Sequence, residues 1–146
     1  MKLITLLTLT ATFALVVRAE ELDEATKARL AKAEAGASTI DVSSYPKKLQ
    51  EIYPTFVEKC ASCHKISRGI NSDYVLPDEW ERYVKRMMRK PGSGMDKASS
   101  KLIYDLLVYD SATRKKDAFQ EKLKSLPEAE RKAAEDKVKE VTEKYK

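Results

Sequence analysis

Apolar positions recur along most of this chain at intervals of three and four residues, the spacing of helices that bury one face. Leu22, Ala25, Leu30 and Ala33 form a weak stripe within Glu21 to Ala35, a segment rich in Ala, Glu and Lys and closed by Gly36. Strong helix formers ending at a glycine predict a first helix there. Residues 37–44 read as a linker. Pro46 opens a second helical stretch with Leu49, Ile52 and Tyr53 on one side. Pro54 is expected to break and restart it, and Phe56 and Val57 then lead into two cysteines.

Lys65 to Leu76 has little periodicity and contains Gly69, Asn71 and Asp73, so it reads as a loop. Pro77 suits the first turn of a helix running to about Arg89, and Asp78 and Glu79 complement its N-terminal dipole. Pro91-Gly92-Ser93-Gly94 is a break. Asp96 is placed to cap the next helix, whose Leu102, Ile103, Leu106 and Leu107 make the most apolar face of the chain. Beyond Asp110 the character turns highly charged. Phe119, Leu123 and Leu126 form one stripe, Pro127 interrupts, and Ala133, Ala134, Val138, Val141 and Tyr145 form another. With no credible strand, the expected fold is all-α: a core from residues 45 to 111, a helix and linker over 20–44, and a charged helical extension over 112–146.

The first residues do not belong to that pattern. Lys2 precedes an almost wholly apolar or Thr run from Leu3 to Val17, and Val17-Arg18-Ala19 offers small residues at −3 and −1 of a cleavage site. This is the layout of a secretory signal peptide over residues 1–19. A spanning helix wants roughly twenty apolar residues, more than this run supplies. The expected mature chain starts at Glu20, is exported, periplasmic in a bacterium, and keeps no membrane anchor. Without Lys2 and Arg18 the 28 basic residues fall to 26 against 23 acidic ones. That mild excess, with no nucleic-acid motif, reads as a surface property and not as a nucleic-acid footprint.

Two cysteines in an exported chain suggest a disulfide, but here they stand in Cys60-Ala61-Ser62-Cys63-His64. C-x-x-C-H is the attachment pattern of c-type haem. Two thiols one helical turn apart can each add to a haem vinyl group, and the adjacent His is carried under the iron as proximal ligand. A structural zinc site needs four ligands, and the chain's two Cys and one His leave only carboxylates to complete it. A thioredoxin-like pair needs an α/β context, which is not visible. Because His64 is the only histidine, bis-His ligation within one chain is impossible, as is a second haem of this type. The sixth position falls to a Met, another side chain, water, or nothing.

Met87, Met88 and Met95 lie downstream of the motif. Trp80, Tyr83, Val84 and Met87 share one helical face, so Met87 points inward with Trp80, while Met88 lies toward the polar boundary. Met95 sits in the Pro-Gly loop ahead of the next helix. Taken singly, each Met is more commonly core filler.

The stretch from Tyr45 to Asp110 resembles a single-domain bacterial monohaem cytochrome c. Trp80-Glu81-Arg82-Tyr83-Val84-Lys85-Arg86-Met87 is similar to the W-x-x-x-V-x-x-M helix of the cytochrome subunits of bacterial sulfite dehydrogenases. The likeness covers about half the chain. It implies that Met87 is the distal ligand, with Met95 as its competitor. One departure is that no Pro lies between His64 and Pro77, so the carbonyl expected to orient His64 is not identified.

Around the cofactor, Arg68, Tyr74 and Trp80 are candidates to bond the haem propionates. Phe56, Val57, Ile66, Val84, Leu102, Ile103 and Leu106 are expected to form its apolar wall. Arg82, Lys85, Arg86, Arg89 and Lys90 offer either a solvated face or a basic rim for an acidic redox partner. The expected function is a periplasmic carrier of single electrons, not an enzyme, with one covalent haem c held by Cys60, Cys63, His64 and Met87. Two alternatives stand beside it: a haem gas sensor or peroxidase-like protein with an open sixth site, and the electron-transfer subunit of a larger redox complex. Sulfite as the electron source does not follow from likeness in one domain.

Overall fold

The computed structural model describes residues 22–146, so the expected leader over 1–19 lies outside the described residues. The fold is all-α, with seven helices and no strand among the described residues. They are α1 (Glu24–Ala35), α2 (Lys47–Ala61), α3 (Ser67–Ile70), α4 (Pro77–Met88), α5 (Lys97–Thr113), α6 (Lys116–Lys124) and α7 (Glu128–Lys144). No described helix is long and apolar enough to cross a membrane.

Local chemistry sets most of these boundaries. Asp23 caps α1 through its carboxylate, which accepts the Thr26 N–H at 2.8 Å. Pro77 occupies the first turn of α4, where its missing N–H costs nothing. Asp96 caps α5 by accepting the Ser99 N–H at 2.7 Å. Between α4 and α5, Gly92 and Gly94 take φ of +75° and +60°, the left-handed region that favours glycine.

Three expectations need correction. Pro54 does not break the second helix but lies inside α2, on its exposed side. The segment read as a loop over 65–76 contains the single turn α3, too short to show periodicity. Gly36 ends α1 as expected, with extended backbone (φ −79°). A Cβ there would come within 2.5 Å of the Asn71 side chain, whose amide donates to the carbonyls of Ala33 and Ala37 at 3.0 and 2.9 Å. Finally, the boundary at 111 falls within α5, and the charged extension is not separate. Val141 and Tyr145 join the main core, while Phe119 and Leu123 pack with Val75 and Leu76.

Helices α2, α4, α6 and α7 all pack on α5, whereas α1 packs on α3. Ile103, Leu106, Leu107 and Val108 of α5 are essentially sealed from solvent with Leu49, Phe56 and Trp80; each such aliphatic side chain contributes about 1.5–3 kcal/mol by leaving water. The same helix buries two carboxylates, which need partners there. Asp105 is held by the Lys144 ammonium and by the Tyr145 hydroxyl, which donates at 2.8 Å. Asp110 accepts from the Tyr45 hydroxyl at 2.7 Å and from the Arg114 guanidinium at 2.8 and 2.6 Å. Arg114 donates as well to the Ile70 carbonyl at 3.1 Å, so one buried carboxylate joins the start of α2, the end of α3 and α5.

Two outcomes follow for stability. Asp110→Ala removes the acceptor shared by Tyr45 and Arg114 and is expected to cost about 2–3 kcal/mol, less than a fully buried pair because Arg114 reaches solvent; urea unfolding of the variant reads it. Burial raises the Tyr83 and Tyr104 hydroxyls to about 12, and burial with the Asp110 bond raises Tyr45 as well. The contribution of Tyr83 and Tyr104 is complete below the ordinary value near 10 and is lost as pH rises through about 12. Tyrosinate absorbance should therefore rise, and helical circular dichroism fall, together between pH 10 and 12.

Candidate functional site

Cys60 lies at the C-terminal end of α2, and Cys63 and His64 follow in the turn leading to α3. All three open onto one cavity of about 640 Å³, within the range of ligand pockets. Its walls come from α1, the end of α2, the 72–74 segment, the cavity-facing side of α4 and the Pro91–Met95 loop. The lining is largely apolar, with Leu30, Ala33, Tyr74, Tyr83 and Met87 prominent.

Both thiols are free. Burial pushes the Cys60 thiol up to about 12, so it stays protonated at neutral pH, while Cys63 is exposed. The His64 Nδ1 lies 3.0 Å from the Lys65 carbonyl oxygen. With the proton on Nδ1 donated to that carbonyl, Nε2 keeps its lone pair free to bind a metal. The Lys65 carbonyl is thus the backbone acceptor beside His64 for which the sequence offered no candidate. Among the described residues, no three or more His, Cys, Asp or Glu side chains are grouped to hold a metal ion.

Met87 and Met95 both line the cavity, and Met88 does not. Met87 projects from the last turn of α4, one turn beyond Tyr83, on the face that buries Trp80 and Val84. Met95 reaches the same space from the loop that Gly92 and Gly94 bend. Its N–H donates to the Ser93 hydroxyl at 3.3 Å.

The other expected site residues are placed as follows. Arg68 does line the cavity, but its guanidinium is engaged by Glu34 of α1, with Nε donating at 2.7 Å. It joins α1 to α3. Trp80 is not in the cavity wall: it is fully buried behind it, and its indole N–H donates to the Ser111 hydroxyl at 2.7 Å. The proposed apolar wall of Phe56, Val57, Ile66, Val84, Leu102, Ile103 and Leu106 does not line the cavity either. Most of it packs between α2, α4 and α5 on the core side, and Leu102 is exposed.

Sequence reading missed two contributors. Helix α1 supplies a whole wall through Thr26, Arg29, Leu30 and Ala33, joined by Leu22 just before it; its weak stripe gave no sign of what it covers. Tyr83 was placed on the Met87 face but not in a role. Its hydroxyl is buried without a hydrogen-bond partner, although the side chain lines the cavity and is only 6% exposed. A buried orphan hydroxyl is costly unless something in the cavity completes it.

The charge of the rim is positive. Arg82 and Lys85 are paired on the outer face with Asp78 and Glu81, and Arg89 does not line the cavity. Arg86 and Lys90 do line it and make no ion pair among the described residues, the Arg86 guanidinium lying 5.5 Å from the centre of the Tyr83 ring. Arg29, Lys59 and Arg68 also line it, each already paired with a carboxylate, of Asp73, Glu58 and Glu34 respectively.

Such an arrangement offers two thiols, one imidazole, two thioethers and, in Arg86 and Lys90, two cations with no ion pair among the described residues, around one apolar space. Comparison of the chain with protein-family models, with curated proteins and with solved structures found no match.

Proposed function

We propose that this chain is an exported, periplasmic c-type cytochrome that carries one electron at a time, with a single haem c attached through Cys60 and Cys63. The observation that carries the reading is the convergence of Cys60, Cys63, His64, Met87 and Met95 on one apolar cavity.

The residues fit such a group on several counts. Thiols at the end of one helix and in the turn after it can each add S–H across a vinyl group, anchoring the cofactor without burying it completely. His64 presents Nε2, oriented by the Lys65 carbonyl. Met87 is the favoured distal ligand, projecting from a helix that Trp80 fixes in the core, and Met95 is its competitor. Arg86, Lys90 and the Tyr83 hydroxyl supply donors suited to carboxylates at the rim. A bound haem would supply a one-electron iron couple, which a thioether ligand shifts toward higher potential. The protein's part is to fix the ligands, exclude water with Leu30, Ala33 and Tyr74, and present a basic edge to an acidic redox partner.

A second reading has one observation in its favour. The unpartnered Tyr83 hydroxyl is a ready donor to a small gas or peroxide bound at an open sixth position.

The ferric spectrum of the matured protein separates them. A low-spin spectrum with a sulfur-to-iron charge-transfer band in the near infrared is expected. Met87→Ala should abolish that band, open the site to CO, and lower the potential by at least about 59 mV, tenfold in a one-electron equilibrium; Met95→Ala should keep it. Loss of the band in Met95→Ala alone transfers the ligand role to Met95. A high-spin wild type that binds cyanide or CO directly favours the open-site reading.

A further inference from the structure

Residues 72–76 link α3 to α4 without regular structure, and Ser72, Asp73 and Tyr74 form part of the cavity wall. Backbone polar groups in such a segment need partners. Three consecutive carbonyls find them in the charged C-terminal part of the chain. The Lys115 ammonium donates to the Ser72 carbonyl at 2.8 Å and to the Tyr74 carbonyl at 3.3 Å. The Lys122 ammonium donates to the Asp73 carbonyl at 3.1 Å. The next two N–H groups, of Val75 and Leu76, donate to Glu79 Oε2 at 3.0 and 2.9 Å, and Lys122 holds the other oxygen of that carboxylate at 2.5 Å.

Apolar contacts reinforce these bonds, since Phe119 and Leu123 of α6 pack on Val75 and Leu76. Lys115 also lies 5.2 Å above the Trp80 ring. Arg114, Asp110, Asp73 and Glu79 are the charges around it, and burial pushes its ammonium down to about 8. The Tyr74 ring packs edge-on against Trp80 and Tyr83 at 5.7 and 5.6 Å, so the segment's position is coupled to the face of α4 that carries Met87.

We infer that residues 115–123 are a clamp that sets the Ser72–Tyr74 wall of the cavity, with Lys115 and Lys122 as positioning residues for the cofactor. This rests on the haem reading for its consequence, though not for its geometry. The clamp keeps water from the cavity through Tyr74 and keeps a cation close behind its wall. Both effects disfavour the more positive, oxidised state.

The test uses the full-length exported protein at pH 7, where Lys115 is charged, and the variants Lys115→Met, Lys122→Met and Lys115→Arg. Lys124→Met is the control, because Lys124 pairs only with the exposed Glu121. Amide hydrogen exchange at Val75 and Leu76 should quicken at least tenfold in Lys122→Met and stay within twofold of wild type in the control. Exchange is readable whether or not haem is attached, so loss of the haem reading leaves the clamp decidable. In the haem-loaded protein, Lys115→Met should shift the one-electron equilibrium at least twofold toward the oxidised form, and Lys115→Arg should restore it. Exchange no faster than in the control overturns the clamp. Faster exchange with an untouched potential reduces Lys115 and Lys122 to structural residues and overturns their role toward the cofactor.

Discussion

Asp110 sits on the buried face of α5, only 1% exposed, and a carboxylate there must be fully hydrogen-bonded or it destabilises the fold. Its partners come from different parts of the chain. Tyr45 arrives from just before α2, and Arg114 comes from the end of α5 and reaches on to the Ile70 carbonyl at the end of α3. Satisfying one charge thus fixes α2, α3 and α5 relative to one another. Those elements carry or flank Cys60, Cys63, His64 and Arg68, so the cavity inherits its geometry from an interaction outside its own wall. Trp80 and Ser111 extend the arrangement to α4, and through α4 to Met87.

Around this frame the cavity is assembled from pieces distant in sequence. Helix α1 is tied down through polar contacts more than apolar ones: Glu34 with Arg68, the Glu34 carbonyl with the Ser67 hydroxyl at 3.0 Å, and Asn71 with the end of the helix. The C-terminal helices act from the opposite side, through lysines whose stems cross apolar surface while their heads meet backbone carbonyls. Both extensions bear on the site although neither carries an expected iron ligand.

Elements with strong local signals were legible in the sequence. Pro77, Asp96 and the Gly92/Gly94 turn mark boundaries by their own backbone chemistry, and Trp80, Tyr83 and Val84 are buried together as their spacing requires. The Cys60, Cys63, His64 and Met87 grouping was legible as a set, because motif spacing and helical face are local properties. What escaped was tertiary. An exposed Pro54 inside a helix looks like a break because the roughly 3 kcal/mol cost of proline there is offset only by packing on the other face. Arg68 and Trp80 are chemically suited to propionates, yet Glu34 and Ser111 engage them, and neither partner is visible from local pattern. Leu102 matched the apolar stripe of α5 but falls at its solvent edge. The wall built by α1 and the carbonyl-binding lysines of α6 depend on which surfaces meet.

The central claim is covalent attachment of one haem through Cys60 and Cys63, and the most direct measurement is the intact mass of the exported protein after full denaturation. The account predicts a chain beginning at Glu20 that retains the mass of one haem under denaturing conditions, and loses the covalent link when both cysteines are replaced by Ser. A denatured chain of bare polypeptide mass, or haem that dissociates on unfolding, would contradict it.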